Sequence, residues 1–334
     1  MKQVCAGVDV SAATLEVAWR GEDGRLHRGT FVNDAAGHRS LIKELLREGR
    51  RARVALEATG LYGLDLALCL DRTDKVEVMV ANPRMIADFG KALMQRSKTD
   101  RTDAETILMF VERMPFVSWR APSKASLELR AITRRIAALR KIVSGEKGRA
   151  HAAGASEAVR AVLEKSVSTT IALLEREIAT LRNAALEVIA SDRYMARRFA
   201  LLMSVKGIGK VSAVHILAEL MLLPADMTDR QWVAHAGLDP RLVQSGTSVC
   251  RTTRISKAGN HYLRGALYLP AVTASRYEPQ VIAFRAHLAD RGKRPKQIHV
   301  AVMRKLLHSI HAMFATDSEF DGTRFFRLSA ALST

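Results

Sequence analysis

Four acidic residues in the first third of the chain have types and spacings that suit metal-ion chemistry. Asp9 and Glu57 each follow a short apolar run that is typical of a β-strand. If those two strands are parallel neighbours, their carboxyl ends meet at the same edge of a sheet, where active sites of α/β domains gather. Asp100 and Asp103 lie three positions apart, so on a helical turn both side chains point the same way. The sequence therefore predicts a four-carboxylate site.

The chemistry of such a site follows from its charge. Four carboxylates in one place repel one another unless cations hold them, and Mg²⁺, with Mn²⁺ as an alternative, prefers oxygen ligands and leaves positions open for water and phosphate. Two such ions can activate an attacking oxygen and stabilise a leaving one in phosphoryl transfer. Each acid also has a simpler interpretation: Asp9 as a turn residue, Asp100 as a helix cap and Asp103 as a residue that the helix dipole favours.

The elements that would position these acids form an α/β pattern over residues 1–120. Three short alternating segments read as an antiparallel meander, with Asn33 or Asp34 capping the helix that follows. A buried strand, a helix from about Tyr62 to Leu70, another strand and a helix that begins at Asn82-Pro83 come next. This order is typical of a ribonuclease-H-like domain, although other α/β folds share parts of it.

Residues 121–192 have a different pattern, in which apolar residues recur every three or four positions among Arg and Lys. This heptad-like spacing predicts two helices, separated by a break over Gly145 to Ser156. The two helices could form a hairpin within one chain or a seam between two chains. A plain helical linker packed on its own domain is the simpler alternative.

Residues 193–334 read as a third, mostly helical domain. Gly207-Ile208-Gly209 lies between two predicted helices, with Lys206 and Lys210 beside it. Glycines in such a helix-hairpin-helix turn let a phosphate approach the backbone, and helix amides can then bind it. A tight turn that only packs one helix against another explains the same residues.

A polar loop, Pro240 to Arg254, is followed by a predicted helix from Ser256 to Arg276. We expect Arg251 and Arg254 to contact nucleic acid together with Lys257, His261 and Arg264, which at positions i, i+4 and i+7 would share one helix face. The loop also holds Ser245. From the residues alone it is most simply a solvated loop serine, because no adjacent His and Asp would activate it.

Composition narrows the partners and the compartment. The chain has 52 basic and 34 acidic residues, a net charge of +18. Residues 1–120 hold 19 basic and 17 acidic residues, so the remainder holds 33 and 17, a net of +16. Such an excess predicts a polyanionic partner, most simply a nucleic acid. Basic ribosomal proteins and proteins that bind membrane surfaces have the same excess. With 3 widely spaced cysteines and no apolar run that could span a bilayer, the chain is expected in the cytoplasm.

Several sequence blocks resemble one protein family, the DEDD transposases of the insertion-sequence one-ten family, which are related to pilin-gene inverting recombinases. The blocks cover nearly the whole chain and follow one another in the family's order: GVDVS (7–11), ALEATGLYG (55–63), ANPR (81–84), KTDRTDAE (98–105), VKGIGKVSA (205–213), AGLDPRLVQSGTSV (236–249) and RISKAGNHYLRGALYLPA (254–271). One departure is Cys250, where the family more often has Arg.

The resemblance implies a Holliday-junction-resolvase-like (RuvC-like) domain whose DEDD tetrad is matched by the following residues: Asp9, Glu57, Asp100 and Asp103. It also implies that Ser245 forms a covalent serine–DNA intermediate. The expected partners are double-stranded donor and target DNA and a structured guide RNA encoded by the element. The chain is expected to act as a homodimer or homotetramer, with the acids and the serine supplied by the same or different protomers.

Two other functions remain open at this stage. A junction-resolving endonuclease would use the same acids but water as its nucleophile, so it would not need Ser245. A nucleic-acid-binding scaffold would need neither cleavage nor metal. Substitution of Ser245 separates the transposase from the endonuclease, and metal-dependent cleavage separates both enzymes from the scaffold.

Overall fold

A computed structural model of the chain describes the following residues: 3–21, 24–58, 60–94, 99–154, 157–242, 244–245, 249–250 and 253–327. The chain divides into two compact units, Met1–Ala121 and Pro122–Thr334. The first is an α/β unit and the second is mostly helical, which confirms the predicted fold class of a RuvC-like α/β domain followed by helices.

The first unit is built on a five-stranded sheet with the order β3-β2-β1-β4-β5. Its strands are β1 (Gln3–Val10), β2 (Thr14–Arg20), β3 (Leu26–Val32), β4 (Arg51–Glu57) and β5 (Val76–Ala81). The first three strands pair antiparallel, whereas β4 runs parallel to both β1 and β5. The predicted meander and the predicted parallel pairing of the first and fourth strands are therefore confirmed.

Four helices cover the sheet: α1 (Ala35–Leu45), α2 (Leu64–Asp71), α3 (Pro83–Ala92) and α4 (Asp100–Arg113). Asp34 caps α1 by accepting bonds from the backbone amides of Ala36 and Gly37, and Asn82 caps α3. Because side chains alternate along a strand, β1 packs Val4, Ala6 and Val8 with α1 and α2. The opposite face of the sheet packs against α4.

The second unit begins with two long helices, α5 (Lys124–Ala153) and α6 (Glu157–Ser191), which pack against each other along an apolar stripe. The predicted heptad helices are thus a hairpin within the chain. The break predicted over residues 145–156 begins too early in that prediction, because α5 continues to Ala153, where Gly154 caps it, and α6 begins at Glu157. A glycine inside a helix costs only about 1 kcal/mol relative to Ala. Here the Lys147–Glu175 ion pair at 2.9 Å ties this stretch of α5 to α6.

The remaining helices are α7 (Arg193–Ser204), α8 (Lys210–Leu220), α9 (Asp229–His235), α10 (His261–Tyr277), α11 (Pro279–Asp290), α12 (Pro295–Thr316) and α13 (Gly322–Phe325). Their apolar residues share one core with Leu129 of α5 and Ala185 of α6. The helical hairpin is therefore packed onto the helices that follow it. In the part of the chain that the structure describes, no helix is long and apolar enough to cross a membrane.

The predicted polar loop after α9 contains two short antiparallel ribbons. One pairs β6 (Pro240–Arg241) with β9 (Arg254–Ile255), and the other pairs β7 (Gln244–Ser245) with β8 (Val249–Cys250). Strands of two residues are too short to leave an alternating pattern in a sequence, which is why the loop prediction missed them.

Candidate active site

Asp9 and Glu57 lie at the same edge of the sheet. β1 and β4 run parallel with Val8 opposite Leu56, so the next residue on each strand carries one of the two acids. Both acids follow a buried apolar residue and are themselves partly exposed. The strand register therefore places one carboxylate beside the other at the carboxyl ends of two hydrogen-bonded strands.

Helix α4 lies directly on the strand that carries Asp9, and Gly7 allows this. A Cβ atom built on Gly7 would overlap the backbone of α4, meeting Leu108 N and Ala104 O and lying 2.8 Å from Ile107 C. Gly7 is two positions before Asp9, so both residues face α4. Any side chain larger than hydrogen would push the helix off the strand.

The first turn of α4 carries the remaining two acids. Thr99 caps the helix by accepting from the amide of Thr102, whose hydroxyl in turn accepts from the amide of Thr99 at 2.8 Å. This reciprocal cap fixes where the helix begins. Asp100 and Asp103 follow at once, with the former exposed and the latter partly buried. Their place at a helix start is electrostatically favourable even without a metal ion.

The pKa of Asp9 depends on the other three acids. Burial is the largest cause of a raised pKa at Asp9, and together with the negative charges of Asp103, Asp100 and Glu57, in that order, it raises this pKa from 3.8 to about 6. Neighbouring negative charges raise the pKa of a carboxylate only when they are close and not screened by water. The fold therefore brings all four predicted acids into one electrostatic environment, although they come from three separate stretches of sequence.

The donor set fits a hard divalent cation. All four groups are carboxylates, and no basic side chain lowers the pKa of Asp9. Among the residues that the structure describes, no three acidic, His or Cys side chains are close enough together to form a complete set of metal ligands. The four acids lie in one region but do not form a complete coordination sphere. A bound ion would therefore have to draw their side chains closer together.

This crowding predicts a pH-dependent effect of divalent ions on stability. In the unfolded chain Asp9 should titrate near 3.9, so between about pH 4 and 6 the folded state binds more protons than the unfolded state. Stability without metal should therefore fall as pH rises through this window. Mg²⁺ should raise the thermal midpoint by about 5 °C at pH 7.5 and by less at pH 5. Thermal unfolding of the full chain and of Asp9→Asn measures this, and an equal Mg²⁺ effect in both proteins contradicts it.

Gly7 is a site-forming residue that the sequence prediction did not single out, and its substitution gives a second prediction. Gly7→Ala should lower the free energy of unfolding by about 3 kcal/mol, because the methyl group meets rigid backbone. DNA strand cleavage should fall with it, because the first turn of α4 moves. Gly148→Ala is the matched control, since a Cβ there has nothing within 4 Å. Urea unfolding and a cleavage assay test both variants, and a Gly7→Ala protein as stable and active as the control contradicts the packing argument.

The ribbon that carries Ser245 is closed at its base. The Ser256 hydroxyl donates to Asp239 Oδ1 at 2.5 Å, and the Ser256 amide donates to Asp239 O at 2.8 Å. Above this point β6 pairs with β9, and Ser245 then lies opposite Val249 in the second ribbon. The side chain of Ser245 lies outside the part of the chain that the structure describes. The predicted contact Arg251 lies outside the described residues.

The predicted basic face on one helix is wrong in part. Helix α10 begins only at His261, because Asn260 caps it by accepting from the amides of Tyr262 and Leu263. Lys257 precedes the helix and has a left-handed backbone with φ of 53°, so it does not share a helix face with His261. The i, i+4 spacing is present in the sequence, but the capping asparagine decides where the helix starts.

The other predicted basic contacts differ in solvent exposure and in their hydrogen bonds within the chain. Arg254 in β9, Lys257 and His261 are exposed. Arg264 is partly buried, and its Nη1 atom donates to Ala236 O at 2.8 Å, next to the tight turn at Gly237. Its guanidinium therefore has an internal structural role.

The two glycines of the helix-hairpin-helix turn between α7 and α8 also differ. Gly207 has a φ of 114°, and a Cβ there would lie 2.6 Å from Ala274 N on α10, so this glycine permits close packing. Gly209 caps α8 and faces open space, with Lys206 and Lys210 exposed beside it. An approach of phosphate to the backbone is therefore open at Gly209 and not at Gly207.

A buried polar network, which the sequence analysis did not predict, anchors the chain just after the ribbons. Glu219 is 5% exposed and accepts two bonds of 3.2 Å from Arg134 and one of 2.6 Å from Asn260 Nδ2. The backbone N–H of Asn260 also donates to the backbone oxygen of His235 at 2.6 Å. A buried carboxylate needs such partners, and here they tie α5, α8, α9 and the start of α10 to one point. Asn260, which lies inside the helix predicted from Ser256, is the helix cap that could have pointed to this network.

A RuvC-like sheet with acids at its parallel edge, followed by a helical unit, defines a class of enzymes that act on phosphodiester bonds. Residues 6–153 match a family model of DEDD transposases of the IS110 type, and residues 199–286 match the model described as "Transposase IS116/IS110/IS902 family". The chain belongs to this family of DEDD transposases, and it is a DNA transposase, or recombinase.

Two curated relatives match over nearly the full length of the chain. The pilin gene-inverting proteins of Moraxella bovis and Moraxella lacunata are each 28% identical to it over 327 residues, which is 96% of this chain and 98% of each relative. The names of these two proteins describe inversion of a pilin gene.

Proposed function

We propose that the protein cuts and rejoins the DNA of an insertion sequence through a magnesium-dependent tetrad and a covalent bond to Ser245. The tetrad is Asp9, Glu57, Asp100 and Asp103. The observation that carries this proposal is the packing of α4 on β1, beside the parallel pairing of β1 and β4, and the raised pKa of Asp9 agrees with it. Together with the family membership, it supports one charged site assembled for metal-assisted phosphoryl transfer.

The chemistry conserves the energy of the broken bond. Ser245 Oγ attacks the scissile phosphorus, so that an Oγ–P bond forms, the P–O3′ bond breaks and a free 3′-hydroxyl leaves. The proton lost by the serine is matched by the proton gained on the 3′-oxygen. Attack by another 3′-hydroxyl reverses the step, so rejoining needs no ATP. When bound, Mg²⁺ supplies positive charge that polarises the phosphate and stabilises the developing negative charge.

The carboxylates have a defined part in this scheme. They would hold the ions, and Asp9 would have to lose its proton to do so, which a bound cation would favour by offsetting the repulsion from the neighbouring acids. We further propose that the exposed Lys206, Lys210, Arg254 and His261 contact phosphates, with Gly209 leaving the helix amides accessible. Gly207 and Arg264 serve the fold instead.

The partners of this reaction follow from its chemistry and from the charge of the chain. The DNA substrates are a double-stranded donor and a double-stranded target, and we place the reaction in the cytoplasm. We propose that a structured guide RNA selects them, supported by the family resemblance and by the excess of 33 basic over 17 acidic residues after residue 120. The α5–α6 stripe is filled within the chain, so it gives no support for a dimer. A homodimer or homotetramer is proposed because each serine can hold only one strand end.

One preparation tests the reaction and the guide. The full chain is purified from cells that carry the element, its bound RNA is sequenced, and the complex is given donor and target DNA with Mg²⁺. We expect an RNA from the element's non-coding flank and, after denaturation, a protein band shifted by covalently bound DNA. Cellular RNA without enrichment of that flank contradicts the guide, and cleavage without any adduct contradicts the serine.

A further inference from the structure

A basic pocket opens between three helices of the second unit, and none of the residues proposed above lines it. It has a volume of about 320 Å³, and its charged wall is formed by Arg276 of α10, Arg285 of α11 and Lys293, which follows α11. His299 of α12 and the apolar Ile298 complete it. We call it the α10–α12 pocket.

The charge of this pocket is not neutralised by the protein. No acidic residue lines it, and none of its three cations forms an ion pair with another residue that the structure describes. Arg285 Nη1 donates a long bond of 3.4 Å to Ser275 O, which leaves the rest of its guanidinium available. Three unpaired cations around one concavity repel one another, so a polyanion that fills it is stabilised.

An exposed aromatic ring contacts His299, one of the residues that line the pocket. Tyr268 is 46% exposed, and its ring meets the His299 ring edge to face with 6.2 Å between the centroids. Next to Tyr268, Leu269 is 66% exposed. Large exposed apolar side chains beside unpaired cations are unusual unless a ligand with both a flat apolar face and negative charge covers them.

We propose that the α10–α12 pocket binds a single-stranded segment of nucleic acid, with a phosphate at Arg276, Arg285 and Lys293 and an unpaired base stacked on Tyr268. Bases in a duplex have both faces covered by their neighbours and cannot stack on a side chain, whereas an unpaired base can. The combination of cations and an exposed ring therefore favours a single strand over a duplex. RNA and DNA share this chemistry, and the test includes both.

The test is a binding measurement with the full chain in buffer without Mg²⁺, so that no cleavage is needed. Labelled single-stranded RNA, single-stranded DNA of the same sequence and the matching DNA duplex are titrated over a range of salt. Arg276→Ala/Lys293→Ala should weaken single-strand binding about tenfold and make its salt dependence less steep by about 0.7 per lost phosphate contact. Tyr268→Leu should weaken single-strand binding about tenfold and duplex binding less than about twofold.

The matched control removes the same charge elsewhere on the second unit. Arg135 and Lys141 of α5 are both exposed, and neither pairs with a described acidic residue. Arg135→Ala/Lys141→Ala should change single-strand affinity less than about twofold. All of the substituted side chains lie at the surface, so thermal midpoints should match that of the unmodified chain and any loss of binding can be assigned to the pocket.

Three results would contradict the proposed binding at this pocket. They are an equal loss of single-strand affinity in the control variant, an unchanged single-strand affinity in Tyr268→Leu, and equal losses of duplex and single-strand affinity in Tyr268→Leu. Weakened binding of either RNA or DNA single strands supports it, and the ratio of the two losses identifies the natural ligand. The measurement does not depend on the serine or the acids. A protein that makes no adduct but shows this binding pattern would refute the proposed chemistry and retain the pocket.

Discussion

Asp9→Asn is expected to abolish DNA strand cleavage while the protein becomes no less stable. The amide keeps the shape of the side chain but loses the charge that a divalent cation needs, so cleavage should fall about a thousandfold or more. Burial and three neighbouring carboxylates already disfavour that charge in the folded chain. Removing it should raise the thermal midpoint in metal-free buffer at pH 7.5. Loss of activity with a gain of stability distinguishes a functional carboxylate from a structural one.

The control for this variant is the neighbouring carboxylate on β2. Glu16 lies opposite Asp9 in the strand register, and its Oε1 atom accepts a hydrogen bond from the Thr30 hydroxyl at 2.8 Å. It is not among the groups that raise the pKa of Asp9. Glu16→Gln should retain cleavage within a few-fold. If Asp9→Asn cuts as fast as Glu16→Gln, the metal site is not at this edge of the sheet.

Ser245→Ala is the second variant with a large expected effect, and its result depends on the nucleophile. If the serine oxygen attacks phosphorus, the variant should give neither strand cleavage nor a covalent adduct, because the nucleophilic oxygen has been removed. The unmodified chain should give an adduct whose DNA remains bound after denaturation. Peptide mapping of that adduct should identify Ser245.

A hydroxyl on the same loop provides the comparison. Thr253 is exposed and lies just before β9, so Thr253→Ala should still form the adduct. Mg²⁺-dependent cutting by Ser245→Ala would mean that water is the nucleophile and that the chain acts as an endonuclease. No cutting by the unmodified chain with Mg²⁺ and its nucleic acids would leave a binding scaffold.

The sequence was sufficient for the parts of the fold that local chemistry decides. The alternating apolar residues of the first strands, the cap at Asp34 and the cap at Asn82 with Pro83 all predicted elements that the structure contains. The order of those elements then placed Asp9 and Glu57 on adjacent parallel strands. These features depend on residues close together in the chain, which is what a single sequence records.

The features that the sequence did not predict depend on contacts between distant residues. Gly7 is one of the 20 glycines, and only the packing of α4 shows why this position must lack a side chain. The continuation of α5 through Gly145 depends on α6 beside it. The start of α10 was misplaced because periodicity includes Lys257, whereas the capping geometry of Asn260 excludes it.

The closed base of the ribbon that carries Ser245 has a consequence for copies of the element that mutation has inactivated. Because two hydrogen bonds join Asp239 to Ser256, the loop between them is closed by contacts that do not involve Ser245. A copy that has lost its serine should therefore still fold, accumulate and occupy the same nucleic acids. Such a copy would act as a competitor of active copies in the same cell, so that mutational decay in this one segment would restrain the spread of the element.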